Sequence, residues 1–280
     1  MNFACLLESV RKEKPLVQCI TNFVTVNDCA NIILAAGGSP FMADHPLEAA
    51  ETASGMQAIV CNMGTMDKME AMYLAGRAAN KLKKPVVLDP VAAGASAFRR
   101  RELAKLLAEV KFAVIRGNAS EIKAIASQVL QRKFKNDHGK GVDVSELDIV
   151  TEKNVTQMGN LAADLAREIS SVIVVSGAID LVTDGQRIGV LHGGVPMMAR
   201  ITGSGCMLTA LLGVYLGTMP DKPYEAAAAA AALMNAAGEK AESLRLAKGT
   251  GNATFRNDLI DAVFTITGQE LQEAVSYEEI

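Results

Sequence analysis

Short, nearly unbroken apolar runs alternate along the chain with longer stretches whose apolar residues recur at helical spacing. The runs at 16–20, 58–61, 85–88, 112–115 and 172–175 have the length of strands and are rich in β-branched residues. Between them, 26–36, 67–82, 97–109, 120–130 and 155–169 follow a helical period and read as helices. A strand that is apolar at consecutive positions must be covered on both faces. Strands of that kind alternating with helices predict an α/β fold with a central, mostly parallel sheet.

After Val175 the pattern changes. Leu181-Val182-Thr183, then Asp184-Gly185, then Ile188 to Leu191 reads as a hairpin with an Asp-Gly turn. Three helices are expected to close the chain, at 204–216, 223–244 and 253–264. The interval 131–148 is the most polar and glycine-containing, and reads as a surface excursion, a solvated loop or a lid, with His138 solvated in it. The acidic tail after Gly268 is expected to fray. No internal repeat or low-complexity linker interrupts the series, so residues 1–280 are expected to form a single domain.

Composition narrows the class. Half of the 280 residues are apolar and none is tryptophan, so the core is built from Ala, Val, Ile, Leu and Met. A net charge of -3 gives no basic surface for nucleic acid or an anionic membrane. No apolar run reaches membrane-spanning length, and the Ala226 to Ala232 run lies between Glu225 and Glu239 as a closely packed soluble helix would. The amphipathic, charged start is unlike a signal peptide. Cys5, Cys19, Cys29, Cys61 and Cys206 are odd in number and lack Cys-x-x-Cys spacing, which fits reduced thiols in the cytoplasm.

Four segments carry candidate chemistry, each at the expected carboxyl end of a strand or at a helix start. Asp89 follows a buried strand, where it either acts on a metal or phosphate or merely turns the chain before Pro90. Arg116 ends another strand, and Asn118 and Glu121 then stand three apart. That spacing suits a helix capping box, and equally a Glu121 that orders Mg²⁺ through water beside an Arg116 that pairs with phosphate. Ser176-Gly177 ends a third strand, as a nucleotide-facing turn or a plain one. Gly203-Ser204-Gly205-Cys206 opens an apolar helix, and a glycine turn at a helix N-terminus presents free N–H groups to an anion. A thiol there, at Cys206, is expected to have a lowered pKa. There is no Gly-x-x-x-x-Gly-Lys-Ser/Thr loop and no Gly-x-Gly-x-x-Gly fingerprint. His45, His138 and His192 are scattered, which gives no support to a zinc site or a Ser-His-Asp triad.

In their order, Gln18 to Asn22, Gly38 to Met42, Leu88-Asp89-Pro90-Val91, Ile115 to Glu121 and Thr202 to Cys206 resemble the ribokinase-like superfamily. Within it they are similar to the hydroxyethylthiazole kinase family of thiamine salvage. The resemblance implies a ribokinase-like fold and ATP- and Mg²⁺-dependent phosphorylation of the primary alcohol of 4-methyl-5-(2-hydroxyethyl)thiazole. It also implies a cytoplasmic homotrimer with active sites between subunits. By position it assigns Arg116 and Ser176 to ATP, and Asp89 and Glu121 to Mg²⁺ and phosphates, with Mg²⁺ held through water. Met42, Gly203, Asn22 and Gly64 would line the thiazole pocket, Met42 reaching in from a neighbouring subunit. Ser176 stands where threonine is equally expected, and keeps the hydroxyl. Most of the superfamily ends the glycine turn in aspartate, the base for the substrate hydroxyl. Thiazole kinases end it in cysteine, as here at Cys206, which would accept or orient the alcohol proton in a modest role. Related pyrimidine or pyridoxal kinases, an ATP-dependent dehydratase of the same fold, and a non-catalytic nucleotide sensor are the competing functions. The cysteine and the retained Asp89, Arg116 and Glu121 speak against them.

Overall fold

The structure is a computed structural model that describes residues 1–131 and 149–280. The expected surface excursion and His138 lie outside the described residues.

One nine-stranded sheet organises the fold. Its strands are β1 (Leu16–Ile20), β2 (Ser39–Phe41), β3 (Ala58–Asn62), β4 (Val86–Asp89), β5 (Val114–Asn118), β6 (Val172–Ser176), β7 (Ile179–Thr183), β8 (Ile188–His192) and β9 (Ser276–Glu279), in the order β2-β1-β3-β4-β5-β6-β7-β8-β9. From β2 to β6 all neighbours are parallel, and from β6 to β9 all are antiparallel. The sheet is thus mostly parallel, as the apolar runs predict, with an antiparallel meander at one edge.

Successive residues of the inner strands point to opposite faces and enter two separate cores. Val172 and Val174 join one, Ile173 and Val175 the other. The first core is roofed by α1 (Phe3–Glu13), α2 (Val26–Ala36), α8 (Ser204–Thr218), α9 (Pro223–Lys248) and α10 (Asn252–Thr265). The second is roofed by α3 (Pro46–Thr52), α4 (Met69–Lys81), α5 (Ala97–Glu109), α6 (Ala119–Val129) and α7 (Val155–Ile169). The alanine run of α9 is buried within the chain, packed on α8 and α10. Among the described residues no helix is long and apolar enough to cross a membrane. All five cysteines are free thiols.

The hairpin and the helix from Ser204 stand as read, and the frayed tail is the expectation that needs correcting. The hairpin loop is four residues, Asp184 to Arg187, because Thr183 pairs with Ile188; Asp184 Oδ1 accepts from the N–H groups of Gln186 and Arg187 and closes it. The tail does not fray. Thr267 and Glu270 form a capping box that starts α11 (Gly268–Ala274), and β9 then pairs with β8. The helix expected from Ser204 is found as α8, so Ser204, Gly205 and Cys206 form its first turn behind the N-cap Gly203.

Candidate active site

The carboxyl ends of β1, β3, β4, β5 and β6 lie side by side, and α8 packs across β1, β3, β4 and β5. This arrangement gathers residues that are far apart in sequence. Asn22 follows β1, Asn62 ends β3 directly beside Asp89 on β4, Arg116 lies near the end of β5, and Ser176 ends β6.

Asp89 is fully buried. Its Oδ2 accepts from Asn62 Nδ2 at 3.0 Å and from the Thr209 hydroxyl at 2.8 Å, with Arg116 Nη1 at 3.7 Å. Its Oδ1 has no partner, and neither does buried Arg116 Nε. Burial pushes the Asp89 carboxyl above its ordinary range, while Arg116 and Thr209 pull it part of the way back. Arg116 donates to the Ser176 hydroxyl. Its guanidinium also lies against Gly205, where an added Cβ would overlap it and push it aside. An acceptor and a donor left unmet at one buried point suit a ligand that brings both a cation and anionic oxygens.

The first turn of α8 sits over this pair. Its N-cap Gly203 has φ +85° and supplies no side chain to the helix's free N–H groups. A Cβ at Gly203 would also lie 2.5 Å from Thr25 Cγ2. The uncapped amides and the helix dipole make an anion-binding end, as Gly203, Ser204, Gly205 and Cys206 suggest in sequence.

Cys206 Sγ accepts from Asn62 Nδ2 at 3.2 Å and from Asn22 Nδ2 at 3.5 Å. The expectation of a lowered thiol pKa is overturned. Burial, followed by the charge of Asp89, pushes the Cys206 thiol up to about 12, and the hydrogen bonds from Thr25 and Asn62 offset only part of this. Burial and the neighbouring carboxylate, and not the position at a helix start, set the direction of the shift.

Glu121 forms the capping box in full. Asn118 Oδ1 accepts from the Glu121 N–H at 2.9 Å, and Glu121 Oε2 accepts from the Asn118 N–H at 2.8 Å. Its other oxygen, Oε1, accepts from the Ala92 N–H at 2.9 Å and ties the loop after β4 to α6. Both oxygens therefore hold backbone. Burial, and next the Asp89 carboxylate, raise Glu121 to about 6.

Asn22, Gly64, Asp89, Arg116, Ser176 and the first turn of α8 are thus brought together, and Glu121 stands behind them. Met42 lies just beyond β2, the strand beside β1, and packs against the first core. Four residues of the neighbourhood were not singled out by the sequence reading. Asn62 could have been found, because it follows a buried strand as Asp89 does. Thr209 is a lone hydroxyl in an apolar helix. Arg99 donates to the carbonyls of Met63, Gly64 and Val91 and binds the loops after β3 and β4 together. Asp180 accepts from the Gly177 N–H and from Asn235 Nδ2, which shapes the turn after Ser176. Neither contact follows from local pattern.

Residues 7–269 match the model of the hydroxyethylthiazole kinase family. The chain is 44% identical over 274 residues to a hydroxyethylthiazole kinase of Clostridium acetobutylicum, covering 97% of each chain. It is 42% identical over 268 residues to that of Methanobrevibacter smithii, covering 95% of this chain and 92% of the relative. The solved hydroxyethylthiazole kinase of Pyrococcus horikoshii OT3 superposes with a TM-score of 0.85 at 33% identity, over 99% of this chain and 98% of the other. A pyridoxal kinase of Staphylococcus aureus superposes with a TM-score of 0.59 at 16% identity, over 95% of this chain and 99% of the other, which relates the fold alone. The match extends over nearly the whole chain and includes every strand end that builds the site, so this chain belongs to the hydroxyethylthiazole kinase family.

Proposed function

We propose that the chain transfers the γ-phosphoryl group of ATP to the primary alcohol of 4-methyl-5-(2-hydroxyethyl)thiazole, forming the phosphate ester used in thiamine salvage and biosynthesis. The observation that carries this reading is the Asp89–Arg116 pair, with unmet polar atoms on both partners, beneath the uncapped first turn of α8.

The residues fit the groups the reaction requires. Arg116 and Ser176 would hold phosphate and nucleotide, and the first-turn amides of α8 would receive the transferred phosphoryl oxygens. Asp89, through its free Oδ1, would hold Mg²⁺ directly or through water. Mg²⁺ supplies positive charge against the phosphate oxygens when bound. Glu121 would fix the loop after β4 through the amides of Asn118 and Ala92, and with the remaining lone pairs of its oxygens would order Mg²⁺ through water.

On the acceptor side, Asn22, Gly64 and Gly203 would border the thiazole alcohol, with Met42 supplied by a neighbouring subunit. Cys206, held as a thiol, would orient the hydroxyl rather than take its proton as a thiolate. Positioning and charge compensation carry most of the acceleration when the transition state is loose. We place the enzyme in the cytoplasm as a homotrimer of single-domain subunits, with the active site between neighbours.

The experiment is ADP release from MgATP with hydroxyethylthiazole, hydroxymethylpyrimidine, pyridoxal and ribose, and a control without acceptor. Turnover confined to the thiazole alcohol is expected. Turnover with another acceptor, or ATP binding without any turnover, would sink the assignment.

A further inference from the structure

Asn62 lies at the end of β3 and is buried, yet its side chain makes four hydrogen bonds to four separate parts of the chain. Its Oδ1 accepts from the Gly64 N–H at 2.8 Å and from Asn22 Nδ2 at 3.2 Å. Its Nδ2 donates to Asp89 Oδ2 at 3.0 Å and to Cys206 Sγ at 3.2 Å. The amide cannot be turned over. A backbone N–H only donates, so Gly64 fixes Oδ1, and this leaves Nδ2 facing the carboxylate and the sulfur. Asn22 is fixed in the same way, because its Oδ1 accepts from the N–H groups of Val24 and Thr25. Its own Nδ2 therefore points at Asn62 and Cys206.

The chemistry of the position requires an amide. A carboxylate there would face Asp89 at hydrogen-bond distance as a like charge. An apolar residue would leave the Gly64 N–H without its acceptor and take from Asn22 Nδ2 one of its two. Only a neutral group that donates at one end and accepts at the other satisfies all four partners.

We propose that Asn62 is a positioning residue that locks Asp89 to Cys206, so that the phosphate-side carboxylate and the alcohol-side thiol keep one spacing. Through Asn22 the same lock reaches the turn that opens α2, and through Gly64 the loop after β3. In-line transfer needs the phosphate and the attacking oxygen at a fixed separation, and the single amide spanning both sides sets it. The inference rests on the kinase reading given above.

The variant to make is Asn62→Ser. A serine hydroxyl can still accept from the N–H two residues on and so keep the turn to Gly64, but it is too short to span Asp89 and Cys206. Steady-state kinetics with MgATP and hydroxyethylthiazole are measured for the wild type, Asn62→Ser, Cys206→Ala and the double variant. Thermal unfolding of each reports folding.

The expected result is a fall in kcat of roughly 10- to 100-fold for Asn62→Ser, with the KM of both substrates changed much less. The double variant should lose at least about threefold less than the product of the two single losses, because the two side chains act as one unit. Wild-type kcat in Asn62→Ser, a loss confined to KM, or strictly multiplicative losses would overturn the proposal. Should Asn62→Ser not fold, Asn62→Gln keeps a neutral amide but displaces it by one methylene, and the same two criteria apply to it. A wild type that does not turn over the thiazole alcohol would defeat the kinase reading instead, which separates the two failures.

Discussion

Cys206 shows how a single residue's chemistry is decided by neighbours from distant segments. Sequence alone places it at a helix N-terminus and so suggests a thiolate. The folded chain brings Asn22, Asn62 and Asp89 against it from three different strand ends, and burial then holds the thiol up to about 12. The functional consequence concerns pH. A thiol with so high a pKa stays protonated through the neutral range, so kcat between pH 6.5 and 9 should show no limb belonging to Cys206. Cys206→Ala should lower kcat by about tenfold or less, below the usual range for a lost general base. Kinetics of both proteins across that range are the check. A basic limb that disappears in Cys206→Ala, or abolished turnover with folding and ATP binding intact, would restore the thiolate base. Asp89, Arg116 and Ser176 were legible in the sequence because strand ends mark themselves. Asn62 carries the same mark, but its importance emerges only when β3 and β4 pair and set it beside Asp89.

At the scale of elements, most helices and parallel strands could be read because their faces are defined by local periodicity. Helices 26–36, 97–109 and 155–169 have the predicted ends. Strand β5 runs further than its apolar core suggests, through Arg116-Gly117-Asn118, because β6 pairs with it along that whole length. Strand β9 was not legible, since Ser276 to Glu279 is polar and becomes a strand only against β8. The start of α6 was legible but ambiguous, and the structure shows Glu121 bonded to the amides of Asn118 and Ala92. Its pKa is raised from 4.5 to about 6, so the folded state binds a proton more tightly than the unfolded chain. The sign follows from linkage: this group's contribution is most favourable below about pH 4.5 and is lost as pH rises through about 6. The change amounts to about 2 kcal/mol. Glu121→Gln keeps a capping side chain without the titration. Urea unfolding at pH 4.5 and 6.5 should therefore show the wild type losing roughly three-quarters of that, relative to Glu121→Gln, between the two. An unchanged difference would mean that the carboxyl titrates alike in the folded and unfolded states.

At the scale of the whole molecule, a feature of α2 remains unexplained within one chain. Its inner face is buried in the first core through Cys29, Ile32 and Ile33. Its outer face carries Val26 and Leu34, which share one side of the helix at eight-residue spacing. Phe23 continues that line into the turn before the helix. Phe23 is 79% exposed, Leu34 54% and Val26 37% in the isolated chain. Exposed apolar side chains gathered on one side of a helix suit an interface better than a solvated surface. The line ends at Phe23, the residue after Asn22, so whatever covers it stands beside the active site. A second subunit is the covering that the proposed trimer would supply. Light scattering on the purified protein should give a mass near three times 29.6 kDa. Leu34→Lys buries no charge in the isolated chain, so it should leave each subunit folded while shifting the mass towards one copy. Because the site is proposed to lie between subunits, turnover should fall with the mass and recover at high protein concentration. A wild type that is fully active as a single copy would remove the need for a neighbour at the site. A Leu34→Lys protein that remains trimeric and active would place the interface on another face of the molecule.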